Sequence, residues 1–386
     1  MKTNICRTYI LLMLFLMSVI LSACGSNGDP QASGSITQEI TSEKTTEATD
    51  SSEAAATEQT EETSASTSAE MPLLSVLDYF PLTPDVFFDY AGTGNEFVPM
   101  TVYVEFVGTD KIQMVYDNGG TQTHTLYSAA NGQVQVINTV SELYVREDLS
   151  RLDPQKDGEI LLMEPIEIGT SWDAAGDTRT ITGVDEPVTT PAGSFLALVV
   201  TTAGDTTTTR QYYAAGIGLV KMTVEGEYEI TQELKTLTTN APSVMNLTVY
   251  YPRMTDTDIE IVYKEIPVYM KTNDTFSDIL TTYFRTPVES GLQPIMSQNG
   301  LINEISLDQG TGIVTIDLSA NYVPSMNVGS SMEGAVLQCL TNTVGHAYGV
   351  EEVIVTLDGQ PYESGHIALA PGDTFKVDYQ DAAELS

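Results

Sequence analysis

Positive charge is scarce. The 386 residues include 16 Lys and Arg against 53 Asp and Glu, a formal charge of −37. Phosphate backbones need clustered cations, so a nucleic-acid partner is excluded. Histidine and cysteine are rare, three of each. His124, His346 and His366 stand far apart, and no H-E-x-x-H or C-x-x-C spacing is present, which argues against zinc. No G-x-S-x-G elbow offers a serine nucleophile. Gly92-Thr93-Gly94 runs on to Phe97 and Gly216-Ile217-Gly218 to Lys221, so neither completes the phosphate cradle G-x-G-x-x-G. No cofactor, metal or catalytic residue is expected. Long apolar runs are missing too: the best is Tyr9 to Leu21, 13 residues interrupted by Ser18, short of the roughly 20 that span a bilayer.

That short run has a purpose of its own. Lys2 and Arg7 precede it, and Leu21-Ser22-Ala23-Cys24-Gly25 follows, the layout of a signal peptide. Leu21 to Cys24 resembles the lipobox of bacterial lipoproteins. The resemblance implies a signal peptide over 1–23, cleavage between Ala23 and Cys24, and diacylglycerol on the Cys24 sulfur, with fatty chains such as palmitate holding the mature protein to the membrane. Two or more acyl chains make such an anchor lasting, since each buried methylene is worth about 0.8 kcal/mol. Cys6 leaves with the signal, so Cys339 is the mature chain's free thiol. With no His or Lys close in sequence, it reads as a small apolar filler rather than a nucleophile.

Residues 24–71 form an acidic tether. From 25 to 70 there are ten acidic residues, one lysine (Lys44) and no aromatic, too little apolar surface to offset chain entropy. A flexible chain of 46 residues has a root-mean-square span of roughly 35–40 Å, a spacer's length.

Residues 72–240 read as a β-rich domain. Short β-branched and aromatic runs alternate with turn signals, among them Asp117-Asn118-Gly119-Gly120 and Asn131-Gly132, dipeptides that accept the positive φ of tight hairpins. No helical period stands out. An antiparallel sandwich or open barrel is expected, followed by a linker over Thr238 to Pro242.

The pattern then changes. In 241–380, strands are expected over Leu247 to Tyr251 and Ile259 to Tyr263. Phe276, Ile279, Leu280, Tyr283 and Phe284 then fall on one face of a helix opened by Thr275 and Asp278. Two strands follow, Leu301 to Leu307 and Ile313 to Leu318. A second helix with a Ser330/Glu333 capping box and a stripe of Val336, Leu337, Leu340 and Val344 comes next, and then a strand over Val353 to Leu357. The predicted order is α-β-β-α-β behind a lead-in strand, with the second helix crossing right-handedly between parallel strands, and an acidic tail at 381–386.

Val249-Tyr250-Tyr251-Pro252, the helix Ile279 to Phe284 leading to Pro287 and Gly291-Leu292, Gly312 to Ser319, and Gly349-Val350 before Val353 to Pro361 keep an order and spacing that resemble the GerM-type sporulation and spore germination domain, GerMN. The likeness covers about 246–365. The family typically occurs in lipoproteins or envelope proteins of Gram-positive bacteria, many of them spore formers. Its fold is similar to ring-building motifs, and it has no known catalytic set. The copy here is single, and Arg285-Thr286-Pro287 stands where Gly-Pro is common.

Asp256, Asp258 and Glu260 alternate in a way that suits Ca²⁺ ligation. They lack the glycine and distal glutamate of an EF-hand loop, which favours a solvated face. Trp172 and the 19 tyrosines suit stacking on wall sugars or packing at the core edge. Carboxylate pairs for glycoside hydrolysis stay open, because spacing in sequence does not give their separation. The expectation is therefore a non-enzymatic, lipid-anchored protein on the outer face of the cell membrane. Its GerM-like domain would dock to another envelope protein or to itself. The alternatives are a β-rich domain that binds a wall glycan, lipid or Ca²⁺, and, behind that, a wall hydrolase.

Overall fold

A computed structural model describes residues 74–385 apart from 157, 175 and 309. The expected signal peptide over 1–23, the lipidation and cleavage residues Ala23 and Cys24, and the expected tether over 24–71 lie outside the described residues.

The chain from Leu74 opens with a four-residue helix, α1 (Val76–Tyr79). Twelve strands follow: β1 (Val86–Thr93), β2 (Met100–Val107), β3 (Lys111–Asp117), β4 (Gln122–Ala130), β5 (Gln133–Ser141), β6 (Ile160–Met163), β7 (Ser171–Ala174), β8 (Asp177–Thr190), β9 (Gly193–Ala203), β10 (Thr207–Ala214), β11 (Gly218–Gly226) and β12 (Ile230–Thr239). They make one sheet in the order β6-β5-β4-β3-β2-β1-β12-β11-β10-β9-β8-β7. Two six-strand meanders are thus joined where β1 pairs β12, from Val86 opposite Thr239 to Thr93 opposite Thr231. The result is an antiparallel, nearly closed barrel. It opens between β6 and β7, which are consecutive in the chain.

Side chains fill that seam. The Trp172 indole on β7 donates to the Ile160 carbonyl at 2.9 Å. The Arg179 guanidinium on β8 donates to the same carbonyl at 2.8 Å and pairs with Glu159. An open sheet edge invites foreign strands, and here the edge carbonyl is already occupied. Trp172 is 7% exposed, so its ring belongs to the core. Bulges in β12, β2 and β11 help the sheet curve. The β4–β5 hairpin turns on Asn131 (φ 55°) and Gly132 (φ 71°), the two positive dihedrals that its short turn requires.

The barrel interior is aromatic. Phe80 meets Tyr127 edge-on at 5.3 Å, and the Tyr116 and Tyr127 hydroxyls are 2.7 Å apart. Tyr90 donates to the Leu219 carbonyl at 2.8 Å. The start of α1 closes over this core, its Val76 N–H held by Glu164 at 2.9 Å. Burial pushes the Tyr116 phenol up to about 12 and the Tyr90, Tyr127 and Tyr213 phenols up as well, so all four stay neutral and structural.

After the turn at Asn240 to Pro242, β13 (Ser243–Met254) and β14 (Ile259–Met270) form a long hairpin in unbroken register. Then come α2 (Phe276–Arg285), β15 (Ile302–Asp308), β16 (Ile313–Leu318), α3 (Tyr322–Met326), α4 (Ser330–Tyr348), β17 (Glu352–Leu357), β18 (Gln360–Pro361), β19 (Phe375–Lys376) and β20 (Ala383–Glu384). The second sheet runs β15-β16-β17-β18 with β19 on β17. β16 and β17 are parallel, so the chain crosses between them through α3 and α4. Phe276, Leu280 and Phe284 of α2 and Val336, Leu337, Leu340 and Val344 of α4 are buried in one core. Each large apolar side chain so buried is worth about 1.5–3 kcal/mol.

Three details differ from the pattern read in the sequence. The order is α-β-β-α-α-β rather than α-β-β-α-β, because α3 intervenes. Pro324 hides it, although a proline in the first turn removes only an N–H that has no partner there. The two strands expected over Leu247 to Tyr251 and Ile259 to Tyr263 are longer than read, and they form a hairpin in a sheet with β20, separate from the second sheet. At α4 the N-cap is Gly329 without a side-chain cap. Glu333 is not a capping partner: it is 7% exposed and accepts from the Tyr362 hydroxyl at 2.9 Å. At α2, by contrast, Thr275 caps the Asp278 N–H at 3.1 Å.

The barrel and the C-terminal module meet through the loop after β14. Asn273 donates its N–H to the Glu105 carbonyl at 3.0 Å and its side chain brackets Val107. Glu105 is the extra residue of the bulge in β2, and so its carbonyl is free for this bond. Thr272 bonds Val104 and Asp85. Beneath them, the buried Glu105 carboxylate accepts from Gln113 at 2.6 Å, lies 2.9 Å from His124 Nδ1 and sits 3.4 Å from Arg146 Nε. Arg146 reaches across to the Lys271 and Asp274 carbonyls at 2.6 and 2.9 Å.

Candidate functional site

The last turn of α4 carries a Gly345-His346 pair and stops at Gly349, whose φ of 65° suits the left-handed helix cap. The chain beyond β18 returns over this helix as a strap. Asn342 acts as a short strand mimic, donating to the Asp378 carbonyl at 2.5 Å and accepting its N–H at 2.8 Å, while Gln338 donates to the Lys376 carbonyl at 2.9 Å. Glycine is required at 345, because a Cβ there would lie 2.2 Å from Val377 Cγ1. The strap ends in β20, pairing with Val262 and Tyr263 of β14.

Between the helix end and the strap lies an open groove of about 540 Å³, lined by His346, Glu351, Glu352, Lys376 and Tyr379 among others. Tyr379 stacks on Tyr250 at 5.5 Å, and Tyr250 packs on Tyr263 at 5.4 Å. His346 stands edge-on to Tyr379 at 5.9 Å, its ring nitrogens 3.3 Å from the Tyr250 hydroxyl and the Thr248 hydroxyl. Burial, with Tyr379 and Tyr263 adding to it, pushes the Tyr250 phenol up to about 12, and burial raises that of Tyr379. Lys376 pairs with Glu352 at 3.3 Å. The groove thus offers one exposed aromatic face, an imidazole and carboxylates. It is suited to holding a polar ligand or a side chain of a partner. Thr248 is 6% exposed and its hydroxyl faces the imidazole, which makes it a support for the ring.

The residues singled out in the sequence are scattered. His124 lies in the barrel junction and His346 at the groove, and His366 is 4.0 Å from Glu333. Cys339 is fully buried in α4 and burial pushes its thiol far up, which removes the thiolate that nucleophilic or redox chemistry needs. Asp258 closes the β13–β14 turn with Thr255, and Glu260 pairs with Arg253 at 2.8 Å, while Asp256 joins neither. Among the described residues no three His, Cys, Asp or Glu come close enough to hold a metal ion. The glycines of the two incomplete G-x-G motifs shape turns: a Cβ on Gly94 would lie 2.6 Å from the Glu229 carbonyl oxygen, and Gly216 and Gly218 have positive φ. Sequence reasoning missed the groove, because its two sides come from separate segments, 345–352 and 376–379, with no motif between them.

Residues 248–363 match the Germane family, described as sporulation and spore germination. The Germane region therefore runs from β13 to β18, and the strap that supplies Lys376 and Tyr379 to the groove lies beyond it. No curated protein matches the sequence. Among solved structures, the chain resembles a lipoprotein candidate from Clostridium perfringens (20% identity, 36% of this chain and 93% of that one, TM-score 0.22). It also resembles the tandem GerMN domains of the sporulation protein GerM from Bacillus subtilis (20% identity, 36% and 47%, TM-score 0.25). A lipoprotein candidate from Parabacteroides distasonis is similar at 16% identity over 42% and 98%, TM-score 0.25.

Proposed function

We propose that the protein is a lipid-anchored, extracytoplasmic envelope protein of a Gram-positive bacterium. It acts without catalysis, through contact of its Germane region with a partner protein or with another copy, in sporulation or spore germination. The observation that carries this reading is the Germane match over 248–363, in a chain whose Leu21-Ser22-Ala23-Cys24 resembles a lipobox. The acidic tether supports it by giving the folded part reach from the membrane. Loss of Lys2 and Arg7 with the signal takes the charge from −37 to −39, which favours standing off from anionic lipid and wall polymers at low salt.

Two measurements test the reading. Metabolic labelling with a fatty acid should mark the wild type and not Cys24→Ala, and labelling of the variant would refute the anchor. Photo-cross-linkers placed on the Germane surface of the intact cell should capture a specific neighbour. Recovery of monomer alone, or turnover of wall fragments by the purified protein, would count against a docking role. The groove beside Tyr379 favours a second reading, a small polar envelope ligand. Saturable binding of a soluble muropeptide, lost in Tyr379→Ala, would support it.

A further inference from the structure

Glu147 sits where the barrel and the C-terminal module press together. It follows β5 in a segment whose Leu143, Val145 and Leu149 are buried with Leu126, and Leu307, Ala347 and Tyr348 of the C-terminal module pack against that cluster. The Tyr348 hydroxyl at the end of α4 lies beside its carboxyl and steadies the ionised form. Its Oε1 is buried and has no partner. We infer that this junction is a pH-sensitive latch, drawn shut when the Glu147 carboxyl carries a proton and loosened when it is ionised.

The surroundings explain why. An ionised carboxylate wants several donors, and among the described residues the Tyr348 phenol is the donor beside it, since the Gln113 amide is bound to the Glu147 backbone carbonyl and to Glu105. Arg151 is the nearest cation on the neighbouring 3₁₀ turn, but it is committed to Glu304 of β15 and lies 3.9 Å from Asp148. From β2, Glu105 opposes the charge, and from β4, His124 favours it weakly. Burial dominates and raises the Glu147 carboxyl from the ordinary 4.5 to about 7. If the two modules part, the carboxyl returns to water and to its ordinary range. The closed junction therefore binds the proton more tightly than the open one. Closure weakens as pH rises from about 4.5 to about 7, by up to tenfold per unit, and is level above that.

The amides that cross the junction report it directly: Asn273 to the Glu105 carbonyl, Val107 to the Asn273 side chain, and the mutual pair of Asp85 and Thr272. Hydrogen-exchange protection factors at these four amides, measured on the full mature chain at pH 5 and pH 8, should fall at least about tenfold in the wild type and less than about twofold in Glu147→Gln. Tyr348→Phe removes the donor that steadies the ionised form, so it should keep the fall and move its midpoint upward. An undiminished fall in Glu147→Gln, no fall in the wild type, or an unmoved midpoint in Tyr348→Phe would each overturn the latch.

Discussion

The barrel and the C-terminal module solve the same problem, a sheet with edges, in opposite ways. The barrel wraps a meander of antiparallel neighbours until β1 meets β12, and it finishes the last gap with Trp172 and Arg179. The C-terminal module instead leaves its sheets open and covers them, with α4 against β13 and a strap laid over α4. Closure by ladder makes a self-contained wall in which interior tyrosines are sealed. Closure by covering leaves seams between layers, and the groove beside Tyr379 and the Glu147 junction both lie at such seams. The candidate sites thus fall where the second strategy operates.

The largest expected effect tests whether the two parts are independent. Arg146→Met should leave the buried Glu105 carboxylate with Gln113 and His124 but no guanidinium, and free the Lys271 and Asp274 carbonyls, at a cost of about 3–5 kcal/mol. Urea titration followed by fluorescence should show this as a lower midpoint for both parts together. A loss confined to the C-terminal module would mean the barrel stands alone. Next, Leu198→Ala in the barrel and Leu340→Ala in α4, both fully buried, should each cost about 2–5 kcal/mol. If the junction couples the parts, each variant lowers the same single transition. Two separated transitions would break that coupling.

The pH profile gives a smaller and sharper contrast. Folded, the Glu147 carboxyl holds its proton up to about 7, against 4.5 ordinarily. The folded chain therefore binds more protons between those values, and stability falls as pH rises through that window. Glu147→Gln cannot ionise. It should match the wild type near pH 4.5 and exceed it by about 1–3 kcal/mol at pH 8 in denaturant titrations. An equal difference at both pH values would make the effect one of packing.

The two parts were also unequally legible. The helices α2 and α4 were readable from their apolar spacing, because a period of 3.6 over ten or more residues has few rivals. The barrel was legible only in fragments. In Val86–Thr93 the burial alternates cleanly at first, yet Asp89 and Gly92 interrupt the apolar signal, and Ile230–Thr239 is mostly polar because half of it faces water. Those are the two strands whose pairing joins the meanders, so the sequence pointed to a sandwich or open barrel and could not decide between them. The groove and the junction were illegible for a different reason. Glu147 and Tyr348 are neighbours only through a contact between modules, and nothing local to either residue announces it.

The smallest expected effect separates backbone strain from crowding in the two parts. Gly132 (φ 71°) closes the β4–β5 hairpin and Gly349 (φ 65°) caps α4, so alanine at either meets the same left-handed penalty of about 1 kcal/mol. Their surroundings differ. A Cβ on Gly349 has nothing within 4 Å, whereas one on Gly132 would lie 2.9 Å from Glu164 Oε2. Glu164 also holds the Val76 N–H at the start of α1, so displacing it should loosen the helix that closes the barrel core. Gly132→Ala should therefore cost more than Gly349→Ala, by about one lost hydrogen bond, or 0.5–1.5 kcal/mol. Glu164→Ala should abolish the difference between the two glycine variants. If the two alanines cost the same in the wild-type background, α1 does not depend on Glu164, and the barrel end is closed by the packing of Val76, Tyr79 and Phe80 alone.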